Sequence, residues 1–93
     1  MFRVRWEETA LDELTQLWVQ AVSALRRRIT AASGEIDRQL SQDPFSTGES
    51  RTAGRRVMFV APLGAMFRIE ADGKTVSVLH VWLFRQHGSA AAP

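Results

Sequence analysis

Apolar and polar positions along the 93-residue chain change period twice. Phe2, Val4 and Trp6 alternate with Arg3, Arg5 and Glu7, the period-two pattern of a half-buried strand. The period then lengthens. Ala10, Leu11, Leu14, Leu17, Trp18, Ala21 and Val22 recur at helical spacing and predict one broad apolar face. Thr9 with Asp12 three residues later reads as a capping box, and Glu8, Asp12 and Glu13 put negative charge where the helix dipole favours it. Ser23 reads as the N-cap of a second helix with a narrower stripe, Leu25, Ile29, Ala32, Ile36 and Leu40. Asp43-Pro44 ends that helix, because a residue before proline avoids the α region. FSTGESRTAG, from Phe45 to Gly54, is polar and small and predicts a surface loop.

From Gly54 to Arg85 the pattern is that of three consecutive strands. Arg56 to Ala61 is a nearly unbroken apolar run, as expected of a strand buried on both faces. Pro62-Leu63-Gly64 supplies a turn. Ala65, Phe67, Ile69 and Ala71 then alternate with Met66, Arg68 and Glu70, and Asp72-Gly73 suits a type I′ hairpin turn. The last strand returns with Val76, Val78, His80, Trp82 and Phe84 on one face and Thr75, Ser77, Leu79, Val81 and Leu83 on the other. That places His80 among apolar neighbours as a partly buried residue. The order β-α-α-β-β-β predicts a two-layer α+β domain, a helical hairpin packed on one face of an antiparallel sheet. Residues 1–87 form one domain, and 88–93 lack periodicity and read as a disordered tail.

Composition narrows the function classes. Hydrophobic residues make up 45% and charged residues 24%, ordinary for a soluble domain. No cysteine is present, so disulfides and thiolate metal sites are excluded, and no HExxH or paired-carboxylate spacing predicts a metal or cofactor. No apolar run reaches the roughly 18 residues of a membrane span, and the N-terminus lacks a signal-peptide core. A cytoplasmic protein is expected. The net charge is only +2, but Lys74 is the sole lysine, so the bases are nearly all arginine. Arginine grips phosphate and carboxylate as a planar fork, which suits nucleic acid or an acidic partner; a GC-rich genome would produce the same bias. Arg26, Arg27 and Arg28 stand at the helix end where the dipole disfavours cations, either held for a partner or lying on a solvated face.

This order of elements, with VRWEETALDELTQLW at the start, ITAASGEIDRQLSQDP in the second helix and VLHVWLFR at the end, resembles the RelE/ParE superfamily of toxins from type II toxin–antitoxin modules. The resemblance runs from Phe2 to about His87. It implies a RelE-like fold and neutralisation by a cognate antitoxin that wraps the toxin. It also implies one of two actions: RelE- and YoeB-like members cut mRNA in the ribosome without metal, whereas ParE-like members poison DNA gyrase. The basic residues of the RNA-cutting members fall here on Val57, Phe59 and Met66, and only Arg85 and His87 match that branch's functional ending. The tyrosine that follows there is Gly88 here, and the chain contains no tyrosine.

Cleavage by 2′-hydroxyl attack needs a base, an acid and charge stabilisation at the phosphate. Arg85 and His87 are the catalytic candidates, and Arg51, Arg55, Arg56 and Arg68 are candidates for binding nucleic acid or a partner. Arg55 and Arg56 point to opposite faces of their strand, so at most one joins Arg68 on a common surface. The set is thin for an RNase and tilts the expectation toward a ParE-like toxin. The alternatives are a ribosome-dependent endoribonuclease with a rearranged site and a decayed homologue that acts only as a binding module.

Overall fold

The computed structural model of the chain describes residues 1–84; Arg85, His87 and the tail lie outside them. The elements in chain order are β1 (Arg3–Trp6), α1 (Glu8–Gln20), α2 (Ser23–Gln42), β2 (Glu49–Ser50), β3 (Arg55–Val60), β4 (Leu63–Ile69) and β5 (Thr75–Leu83). They form the expected helical hairpin on a sheet, with strand order β1-β5-β4-β3-β2. Two features differ from the sequence reading. The polar loop contributes a fifth strand, β2, which pairs with β3 through Glu49↔Val57 and Ser50↔Arg56. And β1 runs parallel to β5, so the sheet is mixed at that edge rather than wholly antiparallel.

The core lies between the helices and one face of the sheet. Ile29, Ala32, Ile36 and Leu40 of α2 meet Met58, Leu63, Ala65, Phe67, Val76, Val78 and Val81. Only this face is covered, so β3 is not buried on both sides: Met58 is buried, whereas Phe59 is 54% exposed. On β5 the expected alternation breaks at a bulge. Phe67 pairs with Val78 but Met66 pairs with His80, so Leu79 is an extra residue. The slip sends Val81 into the core and His80 to the opposite face, where it is exposed rather than half-buried among apolar neighbours.

The caps and turns also differ in detail. Helix α1 starts one residue before Thr9, with Glu7 as N-cap and no side-chain cap. The β1 ladder hands the chain to the helix: Glu7 N–H donates to Val78 O at 2.9 Å, while Leu11 N–H already returns to Glu7 O. In α2 the N-cap is Val22, not Ser23. Between β3 and β4 the turn is Ala61-Pro62, and Leu63 and Gly64 are already paired. The Asp72-Gly73 turn is not type I′, which needs positive φ at both central residues; only Gly73 has it, at 70°. Asp72 instead accepts from Lys74 N–H, Thr75 N–H and the Thr75 hydroxyl.

Arg26 explains part of the arginine cluster. It donates through Nε to Trp18 O at 2.9 Å and through Nη2 to Val19 O at 3.0 Å, and it lies 4.4 Å over the Trp18 ring. A cation unfavourable at the start of α2 thus serves the C-terminal carbonyls of α1, which has no basic residue in its own last turn. Gly34 sits mid-helix with open space where a Cβ would lie. Gly34→Ala is therefore expected to stabilise the protein by about 0.5–1 kcal/mol, read as a raised midpoint in urea denaturation.

Candidate functional site

The sheet face away from the helices is open, and register decides which side chains stand on it. Paired residues share a face, and same-face positions alternate along each strand. One line across the sheet joins Arg5 to Ser77, Ser77 to Arg68 and Arg68 to Arg55. Below it Arg3 pairs with Thr75. Above it come His80, Met66 and Val57, and then Trp82, Gly64 and Phe59. The face therefore carries four arginines on β1, β3 and β4, and an aromatic ledge at the far end.

The ledge is built on a missing side chain. A Cβ at Gly64 would lie 2.5 Å from Trp82 Cε2, so the indole rests directly over the backbone there. Phe59 meets Trp82 edge-on at 6.2 Å between centroids and Phe84 at 4.8 Å.

The arginine line is tied together by Glu70. Its Oε2 accepts from the buried Ser77 hydroxyl and from Arg68 Nη2 at 3.2 Å. Arg5 Nη2 approaches Ser77 Oγ at 3.5 Å and pairs with Glu7 at 2.7 Å. The Ser77 hydroxyl, and after it Arg68, hold the Glu70 carboxyl below its ordinary 4.5. A depressed carboxyl contributes stability above its unfolded value and loses it as pH falls through the folded one. Acid therefore costs the wild type stability from about 4.5 downward, and Glu70→Gln is expected to remove part of that loss. Melting temperatures of the two proteins between neutral and acid pH check it: the curves converge at low pH, and parallel curves would refute the assignment.

The remaining sequence candidates separate. Arg55 and Arg68 share the open face. Arg56 points to the other one, where its guanidinium holds Thr47 O at 3.0 Å, Gly48 O at 3.2 Å and Ser50 Oγ at 2.8 Å. It fastens the segment before β3. Arg51 pairs with Glu49 at the β2 edge. Arg85 and His87 lie outside the described residues. His80 is held on the rim, its Nδ1 3.2 Å from Glu13 Oε2, while Glu13 Oε1 accepts the Val81 N–H at 3.0 Å. That carboxylate clips α1 to the edge of β5 where β1 no longer pairs with it. Sequence reasoning missed Arg3 and Arg5 as members of the face. Their alternation with Phe2 and Val4 marks them as outward, but nothing local says that β1 lies beside β5.

A second surface is apolar. Leu11, Trp18, Val19 and Val22 are exposed by 42–73%, so the broad apolar face read for α1 is only half used by the core. Leu14, Thr15, Trp18, Ile29, Thr30 and Ser33 line a groove between the two helices. Among the described residues no cluster of His, Asp and Glu could hold a metal, and no helix is long and apolar enough to cross a membrane.

No protein-family model and no curated protein matches the chain. Solved structures do. The chain is similar to a protein in the RelBE2 toxin–antitoxin complex of Mycobacterium tuberculosis, with 26% identity over 89% of this chain and 98% of that one, and a TM-score of 0.69. It is similar to one in the chromosomal ParDE toxin–antitoxin system of P. aeruginosa, with 20% identity over 91% and 98% and a TM-score of 0.72. The YoeB/ParE toxin of Agrobacterium tumefaciens matches with 14% identity over 90% and 100% and a TM-score of 0.62. RelE-named and ParE-named structures thus fit almost equally well.

Proposed function

We propose, from the premise that the chain belongs by its fold to the RelE/ParE superfamily of toxins, that it is the toxin of a type II toxin–antitoxin module and blocks growth by a ParE-like action on DNA gyrase. The observation that carries the choice of branch is the chemistry of the open face. The positions that the resemblance aligns with basic residues of the RNA-cutting members are Val57, Phe59 and Met66. The first is buried, the second belongs to the aromatic ledge and the third is half-buried beside it. The carboxylates near them are engaged, Glu70 by Ser77 and Arg68, and Glu13 by Val81 and His80. His80 is the one described histidine on this face, the commonest general-base type; it is held at the rim through Nδ1 by Glu13, and no basic side chain stands at the three aligned positions to support it. An antitoxin as partner is supported by the exposed apolar stripe of α1 and the groove beside it, the kind of surface on which an amphipathic segment docks.

The test is induced expression without antitoxin, following DNA and protein synthesis by pulse labelling, together with supercoiling by purified gyrase. DNA synthesis is expected to stop first, and supercoiling to be inhibited. Arrest of protein synthesis first, with cut mRNA, would replace this reading by the endoribonuclease one and make Arg85 and His87 the residues to mutate. No effect on growth would leave only a binding module.

A further inference from the structure

We propose that the outer edge of β2 pairs with the same edge of a second copy of this chain, antiparallel about a two-fold axis at Ser50, so that two sheets become one. The hydrogen-bond phase of the ladder puts the necessary groups there. Arg51 N–H donates to Arg55 O at 2.6 Å, and Ser50 stands opposite Arg56. In an antiparallel ladder, residues that bond across it alternate with residues that do not. Glu49 and Arg51 therefore turn their backbone groups toward β3, and Ser50 turns its N–H and C=O outward. In that phase the N–H has no acceptor in the sheet, and the carbonyl meets the Arg51 side chain at 3.2 Å. A strand of two residues does not hold itself flat. Arg56 holds this one from behind, through Thr47 O, Gly48 O and Ser50 Oγ, so the edge is in strand conformation before any partner arrives.

The side chains select the occupant. Glu49 and Arg51 flank Ser50 on one face of the sheet, both exposed, and meet each other at 3.2 Å. Read antiparallel about Ser50, Glu49 of each copy faces Arg51 of the other, and opposite charges directly across a ladder favour pairing. On its inner side Arg51 stands opposite Arg55, a like charge; on its outer side Glu49 of the second copy offsets it. Parallel pairing in the same register sets Glu49 against Glu49 and Arg51 against Arg51. The other edge of the sheet is no match either, because β1 carries Arg3 and Arg5 on this face, and over the same span one arginine meets Arg51. The contact is therefore isologous and closes after two copies. An extended segment of another protein would use the same backbone groups, but would not require charges that complement their own reverse order. Two backbone bonds and two exposed ion pairs make a small interface, with a Kd of about 0.1 mM. The pairing goes beyond the toxin reading and does not depend on gyrase being the target.

Sedimentation equilibrium of the full chain, from about 10 μM to about 1 mM, tests this. The expected result is a monomer that passes into a dimer across that range, with the Ser50 amide gaining protection from hydrogen exchange as it does so. Glu49→Arg and Arg51→Glu each set like charges across the axis and are expected to weaken association about tenfold or more. An equimolar mixture of the two variants is expected to restore it, as is the doubly exchanged chain, Glu49→Arg with Arg51→Glu. Ser50→Pro removes the outward N–H while sparing the ladder to β3, and is expected to abolish pairing. Circular dichroism confirms folding of each variant, and the charge exchanges carry the test if Ser50→Pro does not fold. A monomer at every concentration would overturn the proposal. So would a dimer that survives charge reversal, which would move the contact to the apolar stripe of α1, or single variants whose mixture stays monomeric. None of these outcomes bears on the pulse-labelling result.

Discussion

Phe67→Ala is expected to lower the free energy of unfolding by about 3–5 kcal/mol, the range for deleting a fully buried aromatic ring. Phe67 has no exposed surface and is the largest fully buried side chain among the described residues. It sits mid-strand in β4, opposite Val78, in the same cluster as Ile29, Ile36 and Leu40 of α2. Small domains have only about 5–15 kcal/mol in total, so the variant should be close to unfolding at 37 °C. Urea denaturation followed by circular dichroism measures the loss. Phe59→Ala is the matched comparison: the same residue type on the same hairpin, but 54% exposed, and expected to cost under about 1.5 kcal/mol because partial burial forfeits little on truncation. Similar losses for the two would mean that the helices do not cover the face on which Phe67 lies.

Gly48→Ala is expected to cost about 2–4 kcal/mol, from two additive sources. Gly48 has φ of +71°, and a Cβ there would lie 2.4 Å from the carbonyl oxygen of Val57. That oxygen belongs to the backbone of the β2–β3 rung, so no rotamer change relieves the contact. The segment must lift, breaking the Glu49↔Val57 pair and the Arg56 bonds to Thr47 and Gly48. Gly54→Ala separates the two sources. Its φ is +73° but nothing lies within 4 Å of the added Cβ, so it should lose only about 1–2 kcal/mol from the backbone. Equal losses in the two variants would refute the steric part of the argument and the anchoring role given to Arg56.

The candidate site was legible in fragments. That at most one of Arg55 and Arg56 shares a surface with Arg68 was readable from period-two alternation; the β3–β4 register decides that it is Arg55. That Arg56 is the one facing away, and that it fastens three groups of the preceding loop, was not readable. The arginine cluster at the start of α2 looked misplaced until α1 supplied the carbonyls that Arg26 caps. Phe59 read as part of a strand buried on both faces, and Trp82 as a face-mate of Val76 and Val78, most simply core though able to stack on a base. Phe59 lies on the open face because the helices cover only the Met58 side of β3, and the bulge at Leu79, which has no marker in the local pattern, turns Trp82 there. His80 moved for the same reason.

The chain by itself determined the kind and order of its elements, the α2 stripe that lands in the core, the sharp stop at Asp43-Pro44 and the predominance of arginine among its bases. These follow from periodicity, proline stereochemistry and composition, which act over a few residues and need no partner in space. Only the tertiary structure decided that β1 lies parallel beside β5, that β2 pairs with the β3 edge, and that half of the α1 apolar face stays outside. Those outcomes depend on contacts between residues far apart in sequence: Arg5 with Ser77, Glu13 with Val81, Gly48 with Val57. The arginine line is one of them. It exists because three strands bring their arginines to the same rung, and no one strand carries that information.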